Sequence, residues 1–178
     1  MKKDKKTIHA GIDTAAIRAA AKNFADGAVT AGYEADRKKI VAMLNNALAT
    51  ELVRILRYKR HYYTATGLKN GPIKAGFLQH ANEEQGHADL LAARIVQLNG
   101  QPDFDPATLI ERSHAEYDDS DDIQAMIKTN LVAERVAIES YRQKIAVIGH
   151  TDPTTRLMLV GIMAMEEEHA DDMRDLLV

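Results

Sequence analysis

The sequence predicts an all-α protein, a four-helix bundle built from two helical hairpins that a long crossover joins. Four stretches carry apolar residues at steps of three and four, which is the spacing of one face of an α-helix. The motif Glu-x-x-His-Ala-Asp also occurs once in each half of the chain, at residues 84–89 and 166–171. We therefore expect two related hairpins within residues 34–178, preceded by a separate N-terminal segment over residues 1–33.

The composition is that of an ordinary globular domain. With 178 residues, 46% hydrophobic and 28% charged, the chain is long enough to bury one core. A net charge of −3 argues against a wholly basic nucleic-acid binder. The absence of cysteine excludes disulfides and thiolate metal sites and fits a cytoplasmic protein. No apolar run reaches the ~20 residues of a membrane helix, and no secretory signal is recognisable, so we expect no membrane partner.

The N-terminal segment begins with a basic tail that contains Lys2, Lys3, Lys5 and Lys6. We interpret it as a solvated end, with weak binding to DNA phosphates as the alternative. A short alanine-rich helix is predicted from Ala15 to Phe24, with Asp13 or Thr14 as its N-cap.

The first hairpin is predicted to contain a helix over residues 34–66, a turn at residues 67–71, and a helix from Pro72 to Asn99 that Gly100 ends. Residues 100–120 form the crossover. Its Asp105-Pro106 step favours a short helix, and its acidic stretch at residues 116–119 is interpreted as solvated surface, with guidance of cations as the alternative.

The second hairpin is predicted to begin with a helix over residues 121–148 that Ser120 caps. Its second helix follows Asp152-Pro153, a cap and a first-turn proline, and runs to the C-terminus.

Acidic and imidazole side chains interrupt the apolar faces at matching positions in both hairpins. Residues three apart share a helix face, so each motif directs one carboxylate and one imidazole to one point. A lone glutamate lies in the first helix of each hairpin, and a tyrosine follows it by two turns. This pattern indicates an internal duplication. The residues concerned are Glu51, Tyr58, Glu84 and His87 in the first half, and Glu134, Tyr141, Glu166 and His169 in the second.

Four carboxylates buried together would be very costly without cations, and two divalent ions balance their charge. Carboxylate and imidazole ligands suit iron or manganese. A lone Glu-x-x-His is usually just a helix surface, but the combination on four apolar faces favours a metal centre. The candidate metal ligands are Glu51, Glu84, His87, Glu134, Glu166 and His169.

At these residues the sequence resembles the bacterioferritin and Dps-like branch of the ferritin-like superfamily, over residues 34–178. The resemblance implies a ferritin-like bundle with two iron ions per subunit. Glu51 and Glu134 would be terminal ligands, Glu84 and Glu166 would bridge the irons, and His87 and His169 would each hold one. These six residues would also be catalytic, and Tyr58 would be a further catalytic residue because it matches the tyrosine beside the bacterioferritin centre. Tyr141 is its mate by spacing alone. His80 is interpreted as a core histidine, with an outer-shell or iron-transit role as the alternative.

The implied function is iron storage and detoxification, in which a ferroxidase oxidises Fe(II) with dioxygen or hydrogen peroxide inside a hollow homo-oligomer. Gln85 stands where bacterioferritins carry a haem-binding methionine, so we expect no haem. The few residues after His169 leave no fifth helix, which favours a dodecamer over 24 subunits. The alternatives are a Dps-type DNA-binding stress-protection protein and a di-iron peroxidase or oxygenase without storage.

Overall fold

A computed structural model of the chain describes residues 8–9, 11–67 and 70–177. Lys2, Lys3, Lys5 and Lys6 lie outside these residues. The predicted all-α bundle is confirmed. The elements are β1 (Ile8–His9), β2 (Ile12–Asp13), α1 (Thr14–Ala20), α2 (Arg37–Thr64), α3 (Gly71–Gln97), α4 (Leu109–Arg112), α5 (Ile123–Ile148) and α6 (Pro153–Asp175). No helix in the described part of the chain combines the length and apolar character needed to span a membrane.

Aspartate side chains cap four of the helices by accepting a hydrogen bond from the backbone N–H three residues later. These residues are Asp13, Asp36, Asp122 and Asp152. The prediction of Ser120 as the cap of α5 was wrong, because Asp122 accepts from Ala125 N and Ser120 instead donates its hydroxyl to Asp118. A carboxylate is an equally good cap, and its position fixes the first residue of the helix.

Other predicted boundaries differ in detail. The first short helix ends at Ala20 rather than Phe24, and α4 begins at Leu109, after a turn that follows Asp105-Pro106. At the end of α3 the left-handed residue is Asn99, with a φ of 59°, and the Gly100 N–H donates to Ile95 O at 2.9 Å. Asn99 is therefore the residue that ends the helix. The two-residue pairing of β1 with β2 was not predicted.

Two apolar clusters fill the bundle, one toward each end. The first contains Ile40, Leu44, Leu48, Leu91, Ile95, Ile148, Leu159 and Ile162. The second contains Phe77, Ala81, Met126, Ile127, Leu131, Ala170 and Met173. Along α3, α5 and α6, the lone glutamate or the Glu-x-x-His pair lies between residues of the two clusters, and on α2 Glu51 is followed by Ile55 of the first cluster and then by Tyr58 of the second. The polar side chains are consequently closed off at both ends by apolar packing.

The order of the clusters along each helix gives the helix directions. Helix α2 runs from the first cluster to the second, α3 and α5 run back, and α6 runs like α2. Since α3 and α5 are parallel, the crossover spans the length of the bundle, as predicted. It lies along α2, where Arg57 Nη1 donates to Glu116 O at 2.8 Å and His61 Nε2 lies 3.1 Å from Asp118 Oδ2. The acidic stretch is thus exposed except at Asp118, which is half-buried.

A buried ion pair joins α3 to the start of α6. Arg94 Nη2 donates to both carboxylate oxygens of Asp152, at 2.9 and 3.0 Å. The same carboxylate accepts from Thr155 N at 2.9 Å and from the hydroxyl of Tyr33 at 2.7 Å. Asp152 is 1% exposed and Arg94 is 8% exposed. One aspartate therefore caps α6, neutralises a buried arginine and holds the N-terminal segment.

Candidate metal centre

Six side chains from four helices meet midway along the bundle, and all of the predicted ligands are among them. The four glutamates are 0% exposed, and the two histidines are 2% and 3% exposed. Helix α2 supplies Glu51, α3 supplies Glu84 and His87, α5 supplies Glu134, and α6 supplies Glu166 and His169.

These six residues form two overlapping groups of four, and within each group the ligand atoms all lie within 4.8 Å of one another. One group is Glu51, Glu84, His87 and Glu166, and the other is Glu84, Glu134, Glu166 and His169. Glu84 and Glu166 belong to both groups. Two groups that share two carboxylates could hold two cations close together.

Arg54 also lies in the centre, and the sequence analysis did not identify it. It is 1% exposed. Its Nη1 donates to Glu166 Oε1 at 2.8 Å and to Glu51 Oε2 at 3.1 Å. Its Nη2 donates to Glu166 Oε2 at 2.6 Å and also to Glu134, and it lies 2.5 Å from Glu84 Oε1. Arg54 follows Glu51 by one helical turn, so helical spacing alone could have placed it on the same face.

The two tyrosines each reach across to the other hairpin. The hydroxyl of Tyr58 on α2 donates to Glu134 on α5, and the hydroxyl of Tyr141 on α5 donates to Glu51 on α2. Burial raises the pKa of both phenols well above the ordinary value, so both remain protonated donors. Each tyrosine therefore orients the lone glutamate of the opposite half of the chain.

The outer nitrogens of the two histidines have different partners. His169 Nε2 lies 2.9 Å from Glu83 Oε2, whereas His87 Nε2 lies 3.4 Å from Met165 Sδ. Glu83 and Met165 occupy equivalent places, each one residue before a motif glutamate. A carboxylate behind a ligating histidine fixes the ring and raises its basicity, and a thioether does neither. The two halves of the centre are thus chemically unequal.

His80 lies beside the centre, on the same side as His169. The two rings stack with their centroids 4.1 Å apart, and His80 Nδ1 lies 3.2 Å from the Tyr58 hydroxyl. Burial lowers the pKa of His80, which favours its neutral form. His80, Glu83 and His169 also form a group whose ligand atoms lie within 4.8 Å of one another, so the core interpretation of His80 and the outer-shell or iron-transit alternative both stay predictions.

The electrostatics of the centre balance its carboxylates against protons and Arg54. Burial would lower the pKa of His87, but hydrogen bonds to the surrounding carboxylates outweigh it and raise that pKa to about 12. The same opposition raises the pKa of His169 to about 10. Burial raises the pKa of Glu51 to about 8, while at Glu84 the charge of Arg54 outweighs burial and lowers the pKa to about 2. Protonated His87, protonated His169 and Arg54 thus supply the positive charge that surrounds the carboxylates.

The donor set fits divalent metal ions. Among the described residues, Glu84 Oε1 and His169 Nδ1 are buried without a directed hydrogen bond, even though Arg54 Nη2 is close to the first. Both atoms belong to the same group of four candidate ligands. Carboxylate oxygens and imidazole nitrogens without thiolate are the ligands of iron and manganese. Buried polar atoms of this kind are the atoms that a metal ion satisfies, once His169 Nδ1 has given up its proton.

Comparisons with known proteins point to one family. A profile of the ferritin-like domain matches residues 41–178. The bacterioferritin of Desulfovibrio desulfuricans is 28% identical over 141 residues, which cover 78% of this chain and 75% of that protein. A nutrient stress-induced DNA-binding protein of Synechococcus is 29% identical over 130 residues, which cover 71% of this chain and 74% of that protein.

A solved structure shares the architecture. The dodecameric thioferritin of Bacteroides fragilis, a bacterioferritin-related protein, superimposes with a TM-score of 0.76 at 33% sequence identity. The superposition covers 80% of this chain and 86% of that one.

Proposed function

The chain belongs to the ferritin-like domain family, and from this premise we propose that it oxidises Fe(II) at a two-metal centre within each subunit and stores the Fe(III) product in a hollow oligomer. The observation that carries the proposal is the pair of overlapping ligand groups contributed by one chain. Iron is the substrate of this reaction. Each Fe(II) gives up one electron, and the oxidant takes two electrons and two protons, so that dioxygen yields hydrogen peroxide and hydrogen peroxide yields water.

Different residues of the centre bind the two Fe(II) ions and orient their ligands. Glu84 and Glu166, which belong to both ligand groups, hold the two ions close together. Glu51 with His87, and Glu134 with His169, complete the two positions. Tyr58 and Tyr141 orient the terminal glutamates through their hydroxyls, because a donor that is itself buried fixes the carboxylate it contacts.

The test is the double variant Glu84→Ala/Glu166→Ala. It should lose rapid Fe(II) oxidation, followed by absorbance of the Fe(III) product, while circular dichroism still reports a helical protein. The matched control is Glu167→Ala/Glu168→Ala, which removes two exposed carboxylates from α6. Oxidation at the wild-type rate in the first variant would show that the chemistry lies elsewhere.

We propose a dodecameric cage, because the Bacteroides fragilis relative is described as dodecameric. Twelve subunits of 19.7 kDa would have a mass of about 236 kDa by light scattering. A mass of about 470 kDa would mean 24 subunits. A dimer would contradict storage and favour a di-iron peroxidase or oxygenase.

DNA binding is a second candidate function, because the Synechococcus relative is named as a DNA-binding protein. It is compatible with iron oxidation in the same cage. The lysine-rich tail would supply the contacts, and many tails on one cage would act together.

A further inference from the structure

Arg54 is a cation that the proposed metal centre does not use, although it lies inside that centre. Each of its two terminal nitrogens contacts a different one of the two ligand groups. Nη2 contacts Glu84, Glu134 and Glu166, which are three of the four residues of one group. Nη1 contacts Glu51, which belongs only to the other group, and Glu166, which both groups share. One guanidinium therefore reaches both cation positions.

The guanidinium and the metal ions compete for the same oxygen atoms. A zinc ion binds a carboxylate oxygen at about 2.0–2.2 Å, and the terminal nitrogens of Arg54 lie 2.5–2.8 Å from oxygens of Glu84 and Glu166. A metal ion bound to these oxygens would be in contact with a second cation. Because a guanidinium stays protonated in proteins, it cannot relieve this repulsion by losing a proton. It can only move away.

The hydrogen bonds of Arg54 would not hold it in place against bound metal ions. Among the described residues, its Nε has no hydrogen-bond partner, so only the two terminal nitrogens hold the head group. Both of them bind the carboxylates that a metal would take. Once metal ions occupy those oxygens, no other contact described for this side chain retains it in the centre.

We infer that Arg54 is a built-in competitor of the metal ions, so that the centre takes up two divalent cations only when the guanidinium leaves the carboxylates. The inference deepens the proposed function and rests on the metal centre described there. Its consequence is a threshold concentration of free Fe(II), below which the centre stays empty of metal. The centre fills when free Fe(II) is high and exchanges Arg54 back into the carboxylates when Fe(II) is scarce.

The test is a calorimetric titration of Zn²⁺, a redox-silent ion, into chelator-treated and dialysed full-length protein. Arg54→Met keeps the length and apolar stem of the side chain and removes the competing charge. It should bind two zinc ions per subunit at least about tenfold more tightly than the wild type. Arg54→Lys keeps a charge without the two terminal nitrogens of the guanidinium, and its zinc affinity should lie between those of the wild type and Arg54→Met.

Arg57→Met is the matched control, because Arg57 is also buried on the same helix and donates to Asn130 and to backbone carbonyls. Its zinc affinity should equal that of the wild type.

The outcomes separate the two proposals. Tight binding of two zinc ions by the wild type, within about threefold of Arg54→Met, would overturn the role of Arg54 and leave the metal centre standing. No zinc binding by either protein would overturn the metal centre itself, and the inference with it. A zinc-soaked crystal of the wild type gives a test without any variant. We expect the guanidinium outside the carboxylates, and two zinc ions with Arg54 still bound to Glu84 and Glu166 would refute the inference.

Discussion

Replacing Asp152 with alanine should cost far more stability than the loss of an ordinary helix cap. Loss of the cap of α6 alone costs about 1 kcal/mol. The substitution also leaves Arg94, 8% exposed, without the carboxylate that accepts two hydrogen bonds from it. Breaking a buried ion pair from one side costs about 3–5 kcal/mol, so the total loss should be about 4–6 kcal/mol.

Urea unfolding followed by circular dichroism measures this loss, at one subunit concentration for every variant because assembly contributes to stability. The control is Asp122→Ala, which removes the exposed cap of α5 and should cost only about 1 kcal/mol. Asp152→Asn retains a capping oxygen and removes the charge, so its loss should be about 3–5 kcal/mol. If Asp152→Ala and Asp122→Ala agreed within about 1 kcal/mol, the reasoning about Arg94 would be wrong.

Four further predictions concern other parts of the chain. Burial lowers the pKa of His61 below its ordinary value of 6.5, so the stability that neutral His61 contributes is complete above that pH and is lost as the pH falls below it. The thermal midpoint should therefore drop between pH 7 and pH 5, and equal drops in wild type and His61→Gln would contradict this. A Cβ at Gly100 would lie 2.7 Å from a valine methyl of α2, so Gly100→Ala should destabilise by about 1–3 kcal/mol. Gly76→Ala, with open space around the added methyl, should stabilise by about 0.5–1 kcal/mol, and thermal shifts of the same sign would refute the comparison. Deletion of residues 1–6 should abolish salt-sensitive DNA retention at low salt, and unchanged retention would exclude the tail. Protein expressed with added haem should show no Soret band because Gln85 replaces the methionine, and a stoichiometric band would show that another ligand substitutes.

The bundle and its six candidate ligands could be predicted because both follow from spacing along single helices. Apolar steps of three and four define the buried faces, and Glu84 with His87, like Glu166 with His169, are three residues apart on such faces. The four faces converge because each of them is apolar and is buried against the others. Nothing in this reasoning requires a contact to be known in advance.

Arg54 and the Arg94–Asp152 pair were missed for two different reasons. Helical spacing puts Arg54 on the face of Glu51, but an arginine one turn after a glutamate is usually part of an exposed ion pair, so the spacing did not identify Arg54 as a residue of the centre. The pairing of Arg94 with Asp152 depends on how two helices from different hairpins dock, and no periodicity within either helix contains that information. The N-cap of α5 was predicted two residues too early because Ser120 and Asp122 are both good capping residues.

The hydrogen bonds exchanged between the hairpins follow an approximate two-fold symmetry. Tyr58 contacts Glu134 and Tyr141 contacts Glu51, which is the reciprocal pattern that two identical hairpins make across a two-fold axis. Arg54 breaks that pattern, since its counterpart three residues after Glu134 is Ala137, a small buried residue. A symmetric pair of hairpins would bring two arginines to the axis, where their charges repel. A single chain whose two halves differ carries one cation there, a one-sided arrangement that exact two-fold symmetry forbids.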